Sequence, residues 1–459
     1  MNSSITLSKT SADTARLGPR QRLMSVIALM AAIVLATLDT TISNTALPDI
    51  AISLKSTEAG VIWVANAYQI AMIAALLPFA ALGESVSYRK VYVAGIFIFT
   101  LASLICGTAD SLGWLVAGRA LQGLGGAAIM SVNTAFIRHI YPPEKLGKGL
   151  SLNALMVAVS FTLGPPVTSG VLSFTTWHWL FLLNIPIGVF ALVLSFACLP
   201  DAKGLGLRFE KRSALLCAAG LGLLSFSLCF LESGGSKYLT IFPAVACGLC
   251  LFSLIRLQSD HPAPILAVDL LKMPVIGLSS ATSVCAFAAQ ALAFVSLPFF
   301  LRNTLGMQVV DIGLLLTPWP VVVAVMAVVV SPLSDRFSPG LLCSTGLLML
   351  SAGMLSLALL TPGDSHLSVV FRLVLCGAGF GLFQAPNLRA IMGNAPRERS
   401  GGASGLVGLS RLLGQTTGAA LVAQCFHLWQ QQGPGRALIF GCAFAALGCL
   451  FSALRLRHK

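Results

Sequence analysis

Runs of about 20 apolar residues, each long enough to cross the hydrocarbon core of a bilayer as a helix, follow one another from Leu23 to Leu454, broken by charges, prolines and glycine clusters. Cutting at those breaks predicts fourteen membrane-crossing helices, the first over Leu23–Ala46 and the last over Ala437–Leu454. Backbone polar groups in lipid must be satisfied within their own segment, so the expected fold class is an all-α polytopic membrane protein. Composition agrees. Of 459 residues 56% are hydrophobic and 10% charged, against about 25% charged in a soluble domain.

The net charge of +13 is no nucleic-acid footprint, because the basic residues lie between apolar runs rather than on one face. If the N-terminus is cytoplasmic, 22 of the 29 Lys and Arg fall in inner loops and tails and four in outer loops (Lys55, Lys237, Arg302, Arg436). That asymmetry follows the positive-inside rule and predicts both termini in the cytoplasm. The first run is long, carries Asp39 and lacks a small-residue cleavage site, so it is expected to be retained. No G-x-x-x-x-G-K-S/T sequence occurs, which excludes ATP-driven transport on this chain. The twelve cysteines fall in apolar runs without ligand spacing, and the six histidines lie at run ends or in loops with no H-E-x-x-H. No metal, cofactor or enzymatic activity is expected.

An internal repeat is visible. Arg119 and Arg372 are 253 positions apart, as are Pro143 and Pro396, while Glu84 and Asp335 are 251 apart. These spacings predict two parallel six-helix bundles, residues 23–199 and 258–454, with two inserted crossings in 200–257 and short cytoplasmic tails at 1–22 and 455–459. Transporters built this way place substrate near the midplane between the halves.

Charge within the runs is scarce, so the candidates for chemistry are few. Asp39 is the one acidic residue well inside a run. Placing a carboxylate there costs about 2.5–3.5 kcal/mol on insertion scales. Low dielectric favours its neutral form and a nearby cation its charged form. Asp39 is therefore the expected proton-exchanging group, against the plainer role of capping a helix, and Arg119 is its expected partner. Asn44, Gln69, Asn133, Gln290, Asn387 and Gln415 are the uncharged polar candidates for a substrate cavity. Arg372 joins them, and with Arg411 it would suit anionic or neutral substrates better than dications if they line that cavity. Glu84, Arg89 and Lys90, with Asp335 and Arg336, are expected to form breakable salt bridges closing the cytoplasmic side. Exposed pairs are worth about 0–1 kcal/mol, which suits a gate.

Three stretches carry a resemblance. L-D-T-T-I-S-N-T-A-L-P (Leu38 to Pro48), L-V-A-G-R-A-L-Q-G-L-G-G-A-A (Leu115 to Ala128) and W-H-W-L-F-L-L-N-I-P-I-G (Trp177 to Gly188) resemble first-, fourth- and sixth-helix signatures of the fourteen-helix drug:proton antiporters of the major facilitator superfamily. The likeness is nearest to uncharacterised enterobacterial members. It departs at Leu82 to Lys90, where Glu84 and Ser87 replace an aspartate and a glycine, and after Gly164 and Pro165, where the G-P-x-x-G-G pattern lapses.

The resemblance implies a proton-driven exporter of drugs or other amphipathic toxic molecules in a bacterial inner membrane, working by alternating access. The alternative is a narrow-specificity metabolite exporter or symporter of the same fold. The expected partners are the lipid bilayer, a small-molecule substrate and protons, with no nucleic acid, and the chain is expected to be a monomer.

Overall fold

The computed structural model describes residues 18–141, 146–201, 209–230, 237–258, 265, 268–361, 363–396 and 400–457. Arg16, Pro143, Lys203, Arg208 and Lys459 lie outside the described residues, as does the side chain of Asp335. The first six long helices are α1 (Pro19–Ser53), α2 (Trp63–Ser85), α3 (Tyr88–Gly107), α4 (Leu112–Ile140), α5 (Leu146–Phe174) and α6 (Asn184–Cys198). They are followed by α7 (Lys211–Phe230) and α8 (Lys237–Leu257). The last group is α9 (Pro274–Leu305), α10 (Pro318–Arg336), α11 (Pro339–Ala358), α12 (His366–Asn394), α13 (Ser400–Trp429) and α14 (Gly433–Leu454). Short helical turns lead into α2, α6 and α10.

Among the described residues ten helical stretches are long and apolar enough to cross a membrane, the last of them, Gly405–Arg457, taking in both α13 and α14. No β-strand occurs among the described residues. The chain is an all-helical, multi-pass membrane protein, and its surface is arranged accordingly. Phe97, Leu101 and Leu104 on α3, and Val321, Val325 and Val328 on α10, form exposed apolar stripes at helical spacing. Asp39, Arg119, Gln122 and Asn66 are buried inside. Apolar outside and polar inside is the distribution lipid demands.

The repeat reappears as packing. α3 lies on α4 as α11 lies on α12, and α1 packs on α5 and α6 as α9 packs on α13 and α14. α7 and α8 pair with each other, and α7 rests on α2 and α13, at the seam between the two groups. Local signals repeat with it. The Ser87 hydroxyl caps α3 and Ser338 caps α11, 251 positions later; Ser111 caps α4 and Ser365 caps α12, 254 later. Each hydroxyl accepts from a first-turn N–H that has no partner within the helix.

Glycine sets how closely these helices cross. A Cβ on Gly125 would sit 2.6 Å from the backbone nitrogen of Phe99, and one on Gly379 would sit 2.6 Å from that of Leu350. Backbone cannot yield as a side-chain tip can, so α3 and α4, like α11 and α12, touch main chain to main chain. Gly125→Val is expected to destabilise the protein by about 1–3 kcal/mol, the usual cost of overpacking, read as earlier thermal unfolding in detergent. Gly113→Ala, where a Cβ meets nothing within 4 Å, is expected to stay within about 0.5 kcal/mol.

Candidate functional site

Asp39, in the middle of α1, and Arg119, early in α4, meet in the interior among the first six long helices, each 1% exposed, and form a salt bridge. The carboxylate is held by three side chains. Arg119 donates to Oδ2, while Gln122 Nε2 (2.8 Å) and Asn184 Nδ2 (2.6 Å) donate to Oδ1. Gln122 lies three residues after Arg119, hence on the same face of α4. Its Oε1 accepts from the Arg119 guanidinium at 2.6 Å, and its amide also donates to Ser103 Oγ on α3 at 2.9 Å. Arg119 Nε donates to the carbonyl of Val64 at 3.1 Å, and its guanidinium lies 4.4 Å from the ring centre of Tyr68.

Desolvating two charges costs several kcal/mol each, and their attraction repays this only when the remaining lone pairs and protons are also satisfied. Here the ring of amide, hydroxyl and carbonyl partners supplies that satisfaction. Close approach of backbone makes it possible. A Cβ on Gly123 would meet the Tyr68 carbonyl at 2.4 Å, so only glycine lets α2 bring Tyr68 against the pair. The last group of helices repeats the contact between Gly377 and the Trp319 carbonyl, without the charges.

Arg119 forms part of the wall of a central cavity of about 40 Å³ between the two groups of helices. Asn44, Gln69 and Tyr68 line it from one group, Gln290 and Gln415 from the other, with Phe161 and Phe294 as apolar wall. Gln69 Nε2 approaches Gln415 Oε1 at 3.5 Å across the gap. This space holds a few waters at most. A drug-sized ligand needs roughly 300–1,000 Å³, so the groups must part before one enters.

The other expected cavity residues lie elsewhere. Asn133 donates to Asn153 at 2.9 Å, and Asn387 donates to Ser283 at 2.8 Å while accepting from Arg455 at 2.9 Å. Arg372 sits near the start of α12, donating to the Ser356 carbonyl at 2.9 Å and facing Asp364 at 3.5 Å. Its departure from the Arg119 role has a geometric cause. The capping serines and crossing glycines place α4 and α12 in register at 254 positions, which makes buried Leu373 the counterpart of Arg119. Arg372 is one residue earlier, hence turned by about 100°. Outside the membrane span, the Thr361 backbone N–H, its hydroxyl and Arg372 hold the Asp364 carboxyl below its usual range.

The expected gate residues form no bridge between the two groups among the described residues. Glu84 is half-buried at the end of α2, Arg89 donates to the Phe196 carbonyl of α6, and Lys90 and Arg336 are exposed. The links between the groups lie at the opposite side, where α1 ends. Arg302 on α9 pairs with Asp49 on α1 at 2.9 Å, and Asn303 donates to Glu58 at 2.7 Å.

Gln122, Asn184 and Ser103 were not among the expected site residues, although two stand inside the quoted motifs. The signal available was the three-residue spacing of Arg119 and Gln122, which any helix turns into one face.

Arg119→Ala, which strands a buried carboxylate, is expected to lower stability by about 3–5 kcal/mol in denaturant unfolding in detergent. Replacing both charges together, as Asp39→Asn with Arg119→Gln, is expected to cost less than either single loss of charge. Equal or additive losses would mean that the pair is not coupled.

The sequence profile described as the Major Facilitator Superfamily matches residues 29–419. The chain is 45% identical over 438 residues to "Uncharacterized transporter YebQ" of Escherichia coli (strain K12), covering 95% of this chain and 96% of that one. It is 29% identical to "Multidrug resistance protein Stp" of Mycobacterium tuberculosis (strain CDC 1551 / Oshkosh), over 89% of this chain and 77% of that one. It is 26% identical to "Riboflavin transporter RibZ" of Clostridioides difficile (strain 630), over 89% of each. With a fold of membrane-crossing helices around a central cavity and a profile match over most of its length, the chain belongs to the Major Facilitator Superfamily.

Proposed function

We propose that the protein is a proton-coupled secondary transporter that exports amphipathic toxic molecules across a bacterial inner membrane by alternating access. In this reading it has fourteen crossings, two six-helix bundles around an inserted pair, and both termini in the cytoplasm. The observation that carries the proposal is the buried Asp39–Arg119 pair, whose arginine forms part of the wall of the central cavity. The positive-inside asymmetry of the loops supports the orientation, and the multidrug relative supports the substrate class.

The pair suits coupling because its energy depends on one proton. While Asp39 is ionised, Arg119 is compensated where it stands. A proton on Asp39 cancels the counter-charge and leaves a buried guanidinium unpaired, at a cost of several kcal/mol. Any conformation that offers Arg119 another acceptor or water then gains by that difference, so protonation shifts the populations of the two access states. Substrate in the cavity touches the same wall and acts on the same balance. In the state described, the Asp49–Arg302 pair and the Glu58–Asn303 contact bind the halves at one side. The loops carrying Glu84, Arg89, Lys90, Asp335 and Arg336 are proposed to do the corresponding work at the other side when access reverses.

A second reading, a carrier of a single metabolite, is favoured by a particular residue. Arg411 on α13 has a buried Nε with no hydrogen-bond partner, and no acid pairs with it among the described residues. A fixed cation beside the cavity suits one ligand chemistry better than many.

The test is reconstitution into proteoliposomes with a panel of amphipathic compounds of differing charge. Transport driven by a pH gradient is expected in wild type and to fall to background in Asp39→Asn, while exchange of labelled for unlabelled substrate at equal pH persists. Gradient-driven transport that survives in Asp39→Asn would remove the pair from the mechanism. A response to several unrelated compounds supports the exporter, and a response to one supports the carrier.

A further inference from the structure

We infer that the central cavity selects substrates carrying an anionic group, and that Arg411 is the residue that selects it. The inference rests on the cavity being the substrate site, which both readings above share, and not on the direction in which protons move.

Position comes first. Gln415 and Ala419 line the cavity from α13. Arg411 precedes them at four-residue spacing, so it continues the same stripe one turn along. It stands eleven residues into a helix that begins at Ser400, about 16 Å along the axis and thus near the middle of a roughly 30 Å hydrocarbon core. Tyr68, which lines the cavity from the other group of helices, interacts electrostatically with both Arg411 and Arg119.

Charge comes second. Asp39 is already occupied by Arg119, Gln122 and Asn184, and it stands behind the cavity wall rather than on it. Arg119 is compensated. Arg411 is not: its Nε is buried without a partner, and no salt bridge among the described residues includes it. Arginine at this depth is costly unless it finds a partner or water. Arg411 is not itself a lining residue in this state; it places an uncompensated positive charge one turn along α13 from Gln415, next to the wall that Gln69, Gln415, Phe161 and Phe294 form. A carboxylate, sulfonate or phosphate on an apolar body fits that wall. A lipophilic cation meets repulsion from Arg411 and no free acid.

The guanidinium forks onto an anion with two parallel bonds, which a lysine ammonium cannot do. Charge-assisted hydrogen bonds of about 1.5–3 kcal/mol correspond to a preference of roughly ten- to hundredfold.

Three probes sharing one apolar body test this: naphthoate, naphthylmethanol and naphthylmethyl-trimethylammonium, bound to the purified full chain in detergent by equilibrium dialysis, with protein-free micelles subtracted. Wild type is expected to bind naphthoate about ten- to hundredfold more tightly than the other two. Arg411→Gln is expected to bring naphthoate down to the level of naphthylmethanol, and Arg411→Lys, which keeps the charge and loses the fork, to fall between Arg411→Gln and wild type. Thermal unfolding of both variants near that of wild type confirms intact protein. Tighter binding of the cation, no binding of naphthoate above micelles, or an anion preference that survives in Arg411→Gln would each overturn the inference. Asp39→Asn is expected to keep the preference. Failure of proton coupling in that variant and failure of anion selection in Arg411→Gln are thus separate results. Proton uptake or release on binding distinguishes carrier from exchanger and leaves the preference untouched.

Discussion

A carboxylate and a guanidinium buried together in a membrane protein impose conditions on everything around them. Asp39 and Arg119 are each 1% exposed, and neither tolerates that position alone. The pair needs donors for the second carboxylate oxygen, which come from α4 and α6, and an acceptor for the guanidinium Nε, which comes from the backbone of α2. Four helices are therefore tied to one charge pair. Glycine at 123 lets α2 come near enough for Tyr68 to cover the guanidinium. The second group of helices keeps the glycine contact but places Leu373 where Arg119 would stand. Similar packing thus surrounds a charged centre in one half and an apolar one in the other. Among the described residues, the fully buried acid–base pair lies in the first half.

The cavity inherits its character from this asymmetry. Its amides come from both halves, and its compensated charge comes from one. An uncompensated charge, Arg411, stands one turn along α13 from Gln415, in the other half. At about 40 Å³ the space is closed around little more than water, with the halves tied by Asp49–Arg302 and Glu58–Asn303 at the side where α1 ends. Those ties are half-exposed and individually weak. The core pair and the ties differ in kind: one responds to protonation in a dry interior, the others yield when the halves rock.

Much of this was legible in the sequence because membranes punish buried charge. Apolar runs of bilayer length leave few residues that could be anything but packing, so Asp39 and Arg119 stand out without any structure. Asn44, Gln69, Gln290 and Gln415 stand out for the same reason and do face the cavity. What the sequence concealed was rotation and side. A spacing of 253 between two arginines looks like a repeat, yet the helices align at 254, and one residue turns Arg372 away from the site. Asn133 and Asn387, 254 apart and in true register, both serve contacts between helices instead. The inter-half links were expected in the charge-rich loops around Glu84 and Asp335. In this state they lie opposite, where Arg302 had been counted only as an outer-loop charge. A sequence records which residues could form a gate but not which gate is shut.

Asp39 is proposed to give up or take a proton as the cavity fills and empties. Difference infrared spectroscopy on the purified protein observes this directly, because a protonated carboxyl buried in a dry interior has a carbonyl stretch that an ionised one lacks. Such a band is expected on acidification, with a change in its intensity when a transported ligand is added at constant pH, and it is expected to be absent from Asp39→Asn. A band that is present in Asp39→Asn, or that ignores a ligand the protein demonstrably transports, would contradict that role for Asp39.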